Sequence, residues 1–566
     1  MHPRSRSLLA ALPLALLAVC ALNAQVVIVP ATPQVGTSQP APIEPPIAKP
    51  TSKPCSVTLL SEQAFADFSN KPLSYTPACA GPWAKVVFSA DFSVTAGRQF
   101  DRTAKFFLGG ASIYFGTTAE PRSTLSPSWH VERDLTDLSA LFQTAQTGQA
   151  ILGNFVGVSG GVTYNGIIYA NARLDFYPAD ASNPAPAVPT AVLAFPTNDT
   201  TRVSTTTDKS TGTFTFPRNL ERVYLDVISQ SQSADEFWYT CVPSDVASDL
   251  QNCGNSAFRE TEVSIDGQPA GVAPVFPWIY TGGIDPYLWE PVPGIETLNL
   301  KPYRVDLTPF AGLLADGQPH TVAVSVFNAN SGFDVASTLL LYTDPGASTT
   351  TGALLTNTLT AASTPRIEEN LNTAADGTVS GPVNVTSARA WTISGFVNTS
   401  HGRVDTTIQA SNAFGNLQDE KVSSVEFKQN LTQATDQHEL TTTTSNAGTI
   451  QTEHDISYPL VVDYRQAPNS DGSLFITTSV KQQKLDALRS PLGPNSPNPI
   501  VSQQVIETTD TLHYSPSGAF TGHDNNTATA RYGAKDAQHL CVARTLAANA
   551  LILTEAQDST SCSLAP

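Results

Sequence analysis

Runs of alternating apolar and polar residues cover Trp83 to Val94, Ala104 to Phe115 and Ile167 to Tyr177, and Gly, Pro and Asn divide them. A period of two sends successive side chains to opposite faces, so these runs predict strands, and their spacing predicts a β-sandwich. A second set begins near Thr213 with Arg222-Val223-Tyr224-Leu225-Asp226-Val227-Ile228 and ends near Tyr342, after Thr321 to Phe327. The halves share a plan. Asp134-Leu135-Thr136 precedes the apolar stretch Leu138 to Phe142, and Asp306-Leu307-Thr308 precedes Phe310 to Leu314. This weak repeat predicts two sandwiches of similar topology side by side, over 55–200 and 201–345. Beyond Gly346 the composition turns to Thr, Ser, Asn and Gln, with strand-like runs at Leu460 to Tyr464 and Leu474 to Val480. The expectation there is a third, β-rich domain over 346–566 with a supporting or substrate-access role, in an all-β chain.

The beginning of the chain reads differently. Arg4 and Arg6 precede an apolar run from Leu8 to Leu22, too short for a comfortable membrane span, so 1–24 reads as a cleaved signal peptide. Cys20 stands in a poor lipoprotein box, because Val19 precedes it. Residues 25–54 are Pro-rich and aperiodic, and are expected to form a linker. No later stretch reaches transmembrane length, which predicts an exported protein without membrane insertion. Six cysteines then remain: Cys55, Cys79, Cys241, Cys253, Cys541 and Cys562. Six allow about 15 pairings, but their grouping into three separated twos favours local bridges, one per domain. A catalytic thiol or zinc site would be marked by a CxxC spacing, and none occurs.

With 566 residues, there is ample core for several domains. The net charge of −18 and pI near 4.8 argue against nucleic acid, since phosphate binding needs a basic face. Carboxylates neutralise in acid, so activity at low pH is an expectation of the same composition. Charged residues are only 14% of the chain, so Asp101-Arg102, an acid beside a base between Phe100 and Phe106-Phe107-Leu108, needs explaining. Taken alone, the pair reads as a structural salt bridge, Glu236 as a loop residue, and Trp83 and Trp129 as core. Arg259 reads as a cross-strand partner of Glu260 or Glu262. Gly157-Val158-Ser159-Gly160-Gly161 fits the GxSxG pattern, but a strand-like segment follows where a nucleophile elbow needs a helix, so a glycine-rich turn is predicted. The nine histidines show no HExxH, and neither metal nor cofactor is expected. Sequons at Asn198, Asn384, Asn398, Asn430 and Asn525 carry meaning only in a eukaryotic secretory host.

Ordered blocks from Trp83 to Phe327 resemble the peptide N-glycosidase A family of amidases that release N-linked glycans from asparagine. They include Gly97-Arg98-Gln99-Phe100-Asp101-Arg102, Trp129-His130-Val131-Glu132-Arg133-Asp134, Asp235-Glu236-Phe237-Trp238-Tyr239, Phe258-Arg259-Glu260 and Phe276-Pro277-Trp278-Ile279-Tyr280-Thr281-Gly282-Gly283-Ile284-Asp285-Pro286. The bacterial N-glycosidase F enzymes are a remoter likeness, and imply two adjacent jelly-roll sandwiches with a site between them. The resemblance implies Asp101 as principal catalytic carboxylate and Glu236 as its partner, with Arg102 and Arg259 holding the substrate. Trp238, Trp278 and Trp289 would offer flat faces to pyranose rings. A third carboxylate of the remoter enzymes is expected near Ile151-Leu152-Gly153-Asn154-Phe155, where this chain has Asn154.

The implied reaction is hydrolysis of the asparagine–N-acetylglucosamine amide of N-glycosylated peptides or proteins by a monomer. Two rivals stand beside it: a carbohydrate-binding adhesin, which needs aromatic platforms and no activated water, and a glycosidase working with two carboxylates.

Overall fold

The computed structural model describes residues 33–120, 122–195, 197–492, 500–535 and 541–562. The leader read over 1–24 and the start of the Pro-rich segment, 25–32, lie outside the described residues.

The first unit comprises β1 (Cys55–Phe65), β2 (Lys71–Tyr75), β3 (Trp83–Val94), β4 (Thr103–Leu108), β5 (Ala111–Thr117), β6 (Ser128–Asp134), β7 (Gln146–Ile151), the hairpin β8 (Gly157–Ser159) and β9 (Val162–Tyr164), and β10 (Ile168–Pro178). Two antiparallel sheets, in the orders β1-β10-β3-β6 and β2-β7-β4-β5, face each other. The alternation explains the packing: Val86, Phe88, Ala90 and Phe92 of β3 point inward against Phe106 and Tyr114 of the opposite sheet. The run from Ala104 to Phe115 is not one strand. Gly109 and Gly110 adopt φ of +54° and +81°, and this turn splits it into β4 and β5. The GxSxG segment forms the β8–β9 hairpin, turning at Gly160 and Gly161.

The second unit comprises β11 (Ala191–Ala194), β12 (Thr201–Val203), β13 (Ser210–Thr215), β14 (Leu220–Ser231), β15 (Glu260–Ile265), β16 (Gln268–Pro274), β17 (Tyr303–Asp306), β18 (Pro319–Phe327) and β19 (Phe333–Thr343). Its sheets run β11-β19-β14-β17, with β12 also on β19, and β13-β18-β15-β16. With β11 and β12 counted as one interrupted strand and the β8–β9 hairpin set aside, in both units the first strand lies beside the last, the third beside it and the sixth at the edge, while the second, seventh, fourth and fifth make the facing sheet. This is the two-sheet, eight-strand arrangement of a jelly roll, realised twice.

The C-terminal region is one 13-stranded sheet built from long hairpins such as Val379–Thr399 with Gly402–Val422. Trp391, Ile408, Phe414, Leu431, Val462 and Ile506 on its inner face belong to the same hydrophobic core as the second sandwich. Interspersed on that face are buried amides, among them Asn416, Gln418, Gln429, Gln482 and Gln504.

The Pro-rich segment is not a free linker over its described part. Ala41 and Ile43 are buried, and Ala41 N donates to Pro291 O at 2.8 Å. Ile47 N donates to Glu132 Oε2 at 3.0 Å, Lys49 pairs with Glu132, and Leu553 N donates to Thr37 O at 2.9 Å. The segment thus straps the first sandwich to the C-terminal sheet. Proline denies it a ladder, so its contacts are made by side chains and single backbone bonds, which periodicity does not reveal. The local disulfides Cys55–Cys79, Cys241–Cys253 and Cys541–Cys562 all form.

Candidate active site

Asp101 and Arg102 sit in the non-strand segment between β3 and β4, where it meets the long loop between β16 and β17 of the second sandwich. Gly282 on that loop donates its backbone N–H to Asp101 Oδ2 at 3.0 Å. A side chain there is impossible without displacement: a Cβ on Gly282 would lie 2.2 Å from Glu120 Oε2 and 3.0 Å from Asp101 Oδ1. Glycine therefore lets backbone approach two carboxyls at once. Thr281 locks the same junction, donating to Thr118 O at 2.7 Å and accepting Glu120 N at 2.9 Å.

Glu120 follows β5 and accepts Asp101 N at 3.3 Å. Glu236 enters from the second sandwich, at the end of the short helical turn Ser233–Asp235, where its own N–H donates to Ser233 O at 3.1 Å. Burial raises the Asp101 carboxyl, while the Gly282 N–H and Arg102 counteract it. Glu120 is pushed up to about 7 by burial and then by the charge of Asp101. Glu236 is pushed up to about 7 by burial, again with Asp101 adding to it. The Gly282 N–H and Arg102 favour the Asp101 anion that burial disfavours, and its charge adds to the upward shift of both neighbours.

The remaining expected site residues divide. Arg102 stays at the site: its N–H donates to Thr118 Oγ1 at 2.9 Å, its guanidinium lies 5.7 Å from the Phe100 ring, and its buried Nε has no partner. Arg259 does not face a cleft. It is 3% exposed, its Nη2 pairs with Asp235 at 2.8 Å, and Nη1 donates to Ser256 O and Phe258 O at 3.0 and 2.8 Å. Asp235 also accepts the N–H groups of Asn330, Ser331 and Gly332 at 2.8 to 2.9 Å. The bonds of Arg259 go to Asp235, on the turn that presents Glu236, and to the 255–258 backbone, and none is directed to a cleft.

The expected tryptophans are buried as well. Trp238 is wholly buried against Tyr239 and Phe414, at centroid distances of 5.8 and 6.2 Å. Trp278 is buried beside Phe276. Trp289 is buried too, although its ring lines a small cavity with Glu120 and Thr281, and its Nε1 donates to Gly283 O at 2.9 Å. Half-buried aromatic rings instead gather next to Asp101, where Phe100 and Phe155 each pack on Tyr164 and Arg98 lies over Tyr164.

A third carboxyl beside Asp101 is that of Glu120, and the 151–155 segment supplies none. Asn154 is fully buried, and its Nδ2 donates to Phe65 O and Gly166 O, both at 3.0 Å, so it is a structural amide. Glu120 stands in Thr117-Thr118-Ala119-Glu120-Pro121, a strand end with no local signature. Among the described residues, His438, Glu453 and Asp455 bring three ligand-type side chains together, but on the C-terminal sheet, where Arg489 pairs with both carboxylates.

Fold and site together define a two-sandwich β-protein with clustered carboxyls at the sandwich junction. The model of the family peptide N-acetyl-beta-D-glucosaminyl asparaginase amidase A matches residues 42–354, more than half the chain, and the chain belongs to that family. Peptide-N4-(N-acetyl-beta-glucosaminyl)asparagine amidase A of Prunus dulcis is 32% identical over 334 residues, which are 55% of this chain and 58% of that protein. The chain therefore spans little more than half the length of this relative. Among solved structures, PNGF-II is similar with a TM-score of 0.35 and 13% identity over 52% of this chain and 66% of that one. PNGase F, a glycosylasparaginase from Flavobacterium meningosepticum, gives 0.33 and 11% over 52% and 96%.

Proposed function

We propose that this protein is an exported amidase that hydrolyses the bond between asparagine and N-acetylglucosamine in N-glycosylated peptides or proteins. It would release the glycan as a glycosylamine and leave aspartate. The observation that carries the reading is the junction of Asp101, Glu120 and Glu236, where Asp101 accepts the Gly282 N–H and two neighbouring carboxyls are pushed up to about 7. Amide hydrolysis needs a base for water and an acid for the departing nitrogen. Asp101 takes a proton from water as the oxygen attacks the asparagine side-chain carbonyl. Arg102, with an unpaired Nε, stabilises the resulting oxyanion. Glu120 or Glu236 then gives its proton to the nitrogen as the C–N bond breaks.

Three disulfides and the lack, among the described residues, of any helix long and apolar enough to cross a membrane support export. The buried state of Trp238, Trp278 and Trp289 weighs against an adhesin that works through those rings. The boundaries 55–200, 201–345 and 346–566 are proposed as the units of this enzyme, with the last sharing the core of the second.

Mass spectrometry of a defined N-glycopeptide in heavy-oxygen water tests the reading. Conversion of Asn to labelled Asp by the wild type, lost in Asp101→Asn, is the expected result. Asn retained with one sugar would make the protein a glycosidase, and binding without turnover would make it an adhesin.

A further inference from the structure

The loop that delivers Gly282 to Asp101 is held on its other side by the C-terminal sheet. Gln482 Nε2 donates to Pro277 O at 2.7 Å and its Oε1 accepts Ile295 N at 3.1 Å. Thr508 Oγ1 donates to Leu288 O at 2.9 Å, and Asn526 Nδ2 to Tyr287 O at 2.7 Å. The Glu236 segment is held alike, by Asn416 on Tyr239 O, Gln418 on Cys241 O and Gln429 on Thr240 O, at 2.9, 3.1 and 2.8 Å. Irregular backbone leaves carbonyls without ladder partners, and buried carbonyls need donors. A period-two row of amides supplies them.

One contact in this set differs in kind. Asp285 and Asp510 are both fully buried, and their carboxyls interact. Asp285 Oδ1 accepts Tyr287 N at 2.9 Å, capping the turn Pro286–Trp289, and Asp510 Oδ1 lies 2.9 Å from His523 Nδ1. The second oxygen of each has no hydrogen-bond donor. Two facing acceptors are satisfied only with a proton between them.

We propose that Asp510 is a positioning residue for the active site: the proton it shares with Asp285 ties the Gly282–Trp289 turn to the C-terminal sheet and keeps the Gly282 N–H on Asp101. The catalytic consequence rests on the amidase reading; the tie itself does not. Other titratable groups face the pair from every side. Tyr287 and Glu290 lie on the same loop, and His523, Tyr464 and Tyr514 lie on the C-terminal sheet. Arg122 of the first sandwich pairs with Glu290 at 2.9 Å, and His523 stacks on Tyr287 at 3.9 Å. Burial and the Asp510 charge hold the Asp285 carboxyl above its ordinary range. Losing the shared proton would leave two adjacent buried anions and loosen the turn.

Hydrogen exchange over 276–290, with kcat on a glycopeptide, tests this in the full chain at about pH 6 and about pH 8.5. Asp510→Ala removes the tie; Asp510→Asn keeps a donor to Asp285 without a shared proton. In the wild type the loop is expected to open about tenfold more at the higher pH, after correction for intrinsic rates. Asp510→Ala should open it at both and lower kcat about tenfold or more, with Asp510→Asn protected at both and near wild-type kcat. Wild-type protection in Asp510→Ala, an open loop with wild-type kcat, or Asp510→Asn as open as Asp510→Ala would each overturn the proposal. A wild type whose loop behaves as expected but which leaves the glycopeptide intact removes the amidase reading alone.

Discussion

Gly282 N and Asp101 Oδ2 meet at 3.0 Å across the junction of two sandwiches, 181 residues apart in the chain. The single N–H favours the anion that burial disfavours, and the missing Cβ leaves room for Glu120 beside it. Gly282→Ala would place a methyl against both carboxyls. The expected outcome is a folded protein with kcat lowered about 100-fold, since a displacement of about 1 Å at reacting groups has that effect. Steady-state kinetics beside a thermal melt checks it; equal loss of melting temperature and activity would count against it.

Glu120 links the site to stability. Its free value is 4.5 and its folded value about 7, so between these the folded chain keeps a proton that the unfolded chain has released. Its contribution is fully present below the free value and is lost as pH rises through about 7. Glu236 acts in the same direction. Glu120→Gln is therefore expected to reduce the fall in unfolding free energy between about pH 5 and about pH 7.5 by about 1–2 kcal/mol, discounted because the group is only partly buried. Denaturant titrations across that range measure it.

Arg259 tests the difference between holding substrate and holding the fold. Arg259→Leu leaves Asp235 buried without its cation, held only by three backbone N–H groups, and should destabilise by about 3 kcal/mol. In protein that remains folded, KM for glycopeptide should stay within about twofold. A stable variant with sharply raised KM would restore the substrate-binding role.

The strap makes a separate claim. Ile43 is 3% exposed within the core shared by the second sandwich and the C-terminal sheet. Ile43→Ala should cost about 2 kcal/mol, read as a lower denaturation midpoint. A midpoint unchanged from wild type would return this segment to the status of a linker.

Period-two alternation and turn residues determined both sandwiches in the sequence, because a strand's burial pattern is a local property of its own residues. The repeated Asp-Leu-Thr blocks even carried the relation between the halves: Asp134 and Asp306 each accept from the Thr two residues on, at the same place in each jelly roll. Cysteine grouping sufficed for the three bridges, since each closes a short local loop. Asp101 and Glu236 were legible through ordered motif blocks.

Tertiary structure decided the rest. Glu120 and Asp510 carry no local signature and Gly282 stands in a motif block without a role of its own, and their significance arises only where β5, the 275–302 loop and the C-terminal sheet converge. Trp238 and Arg259 stand in motif blocks as plausibly for substrate as for core, and burial alone sorts them. The Pro-rich strap was missed because proline suppresses periodicity without preventing contact. Backbone hydrogen bonding within strands is written locally in side-chain alternation, whereas the ionisation of Asp101 depends on burial, a distant N–H and neighbouring charge, which exist only after the chain has folded.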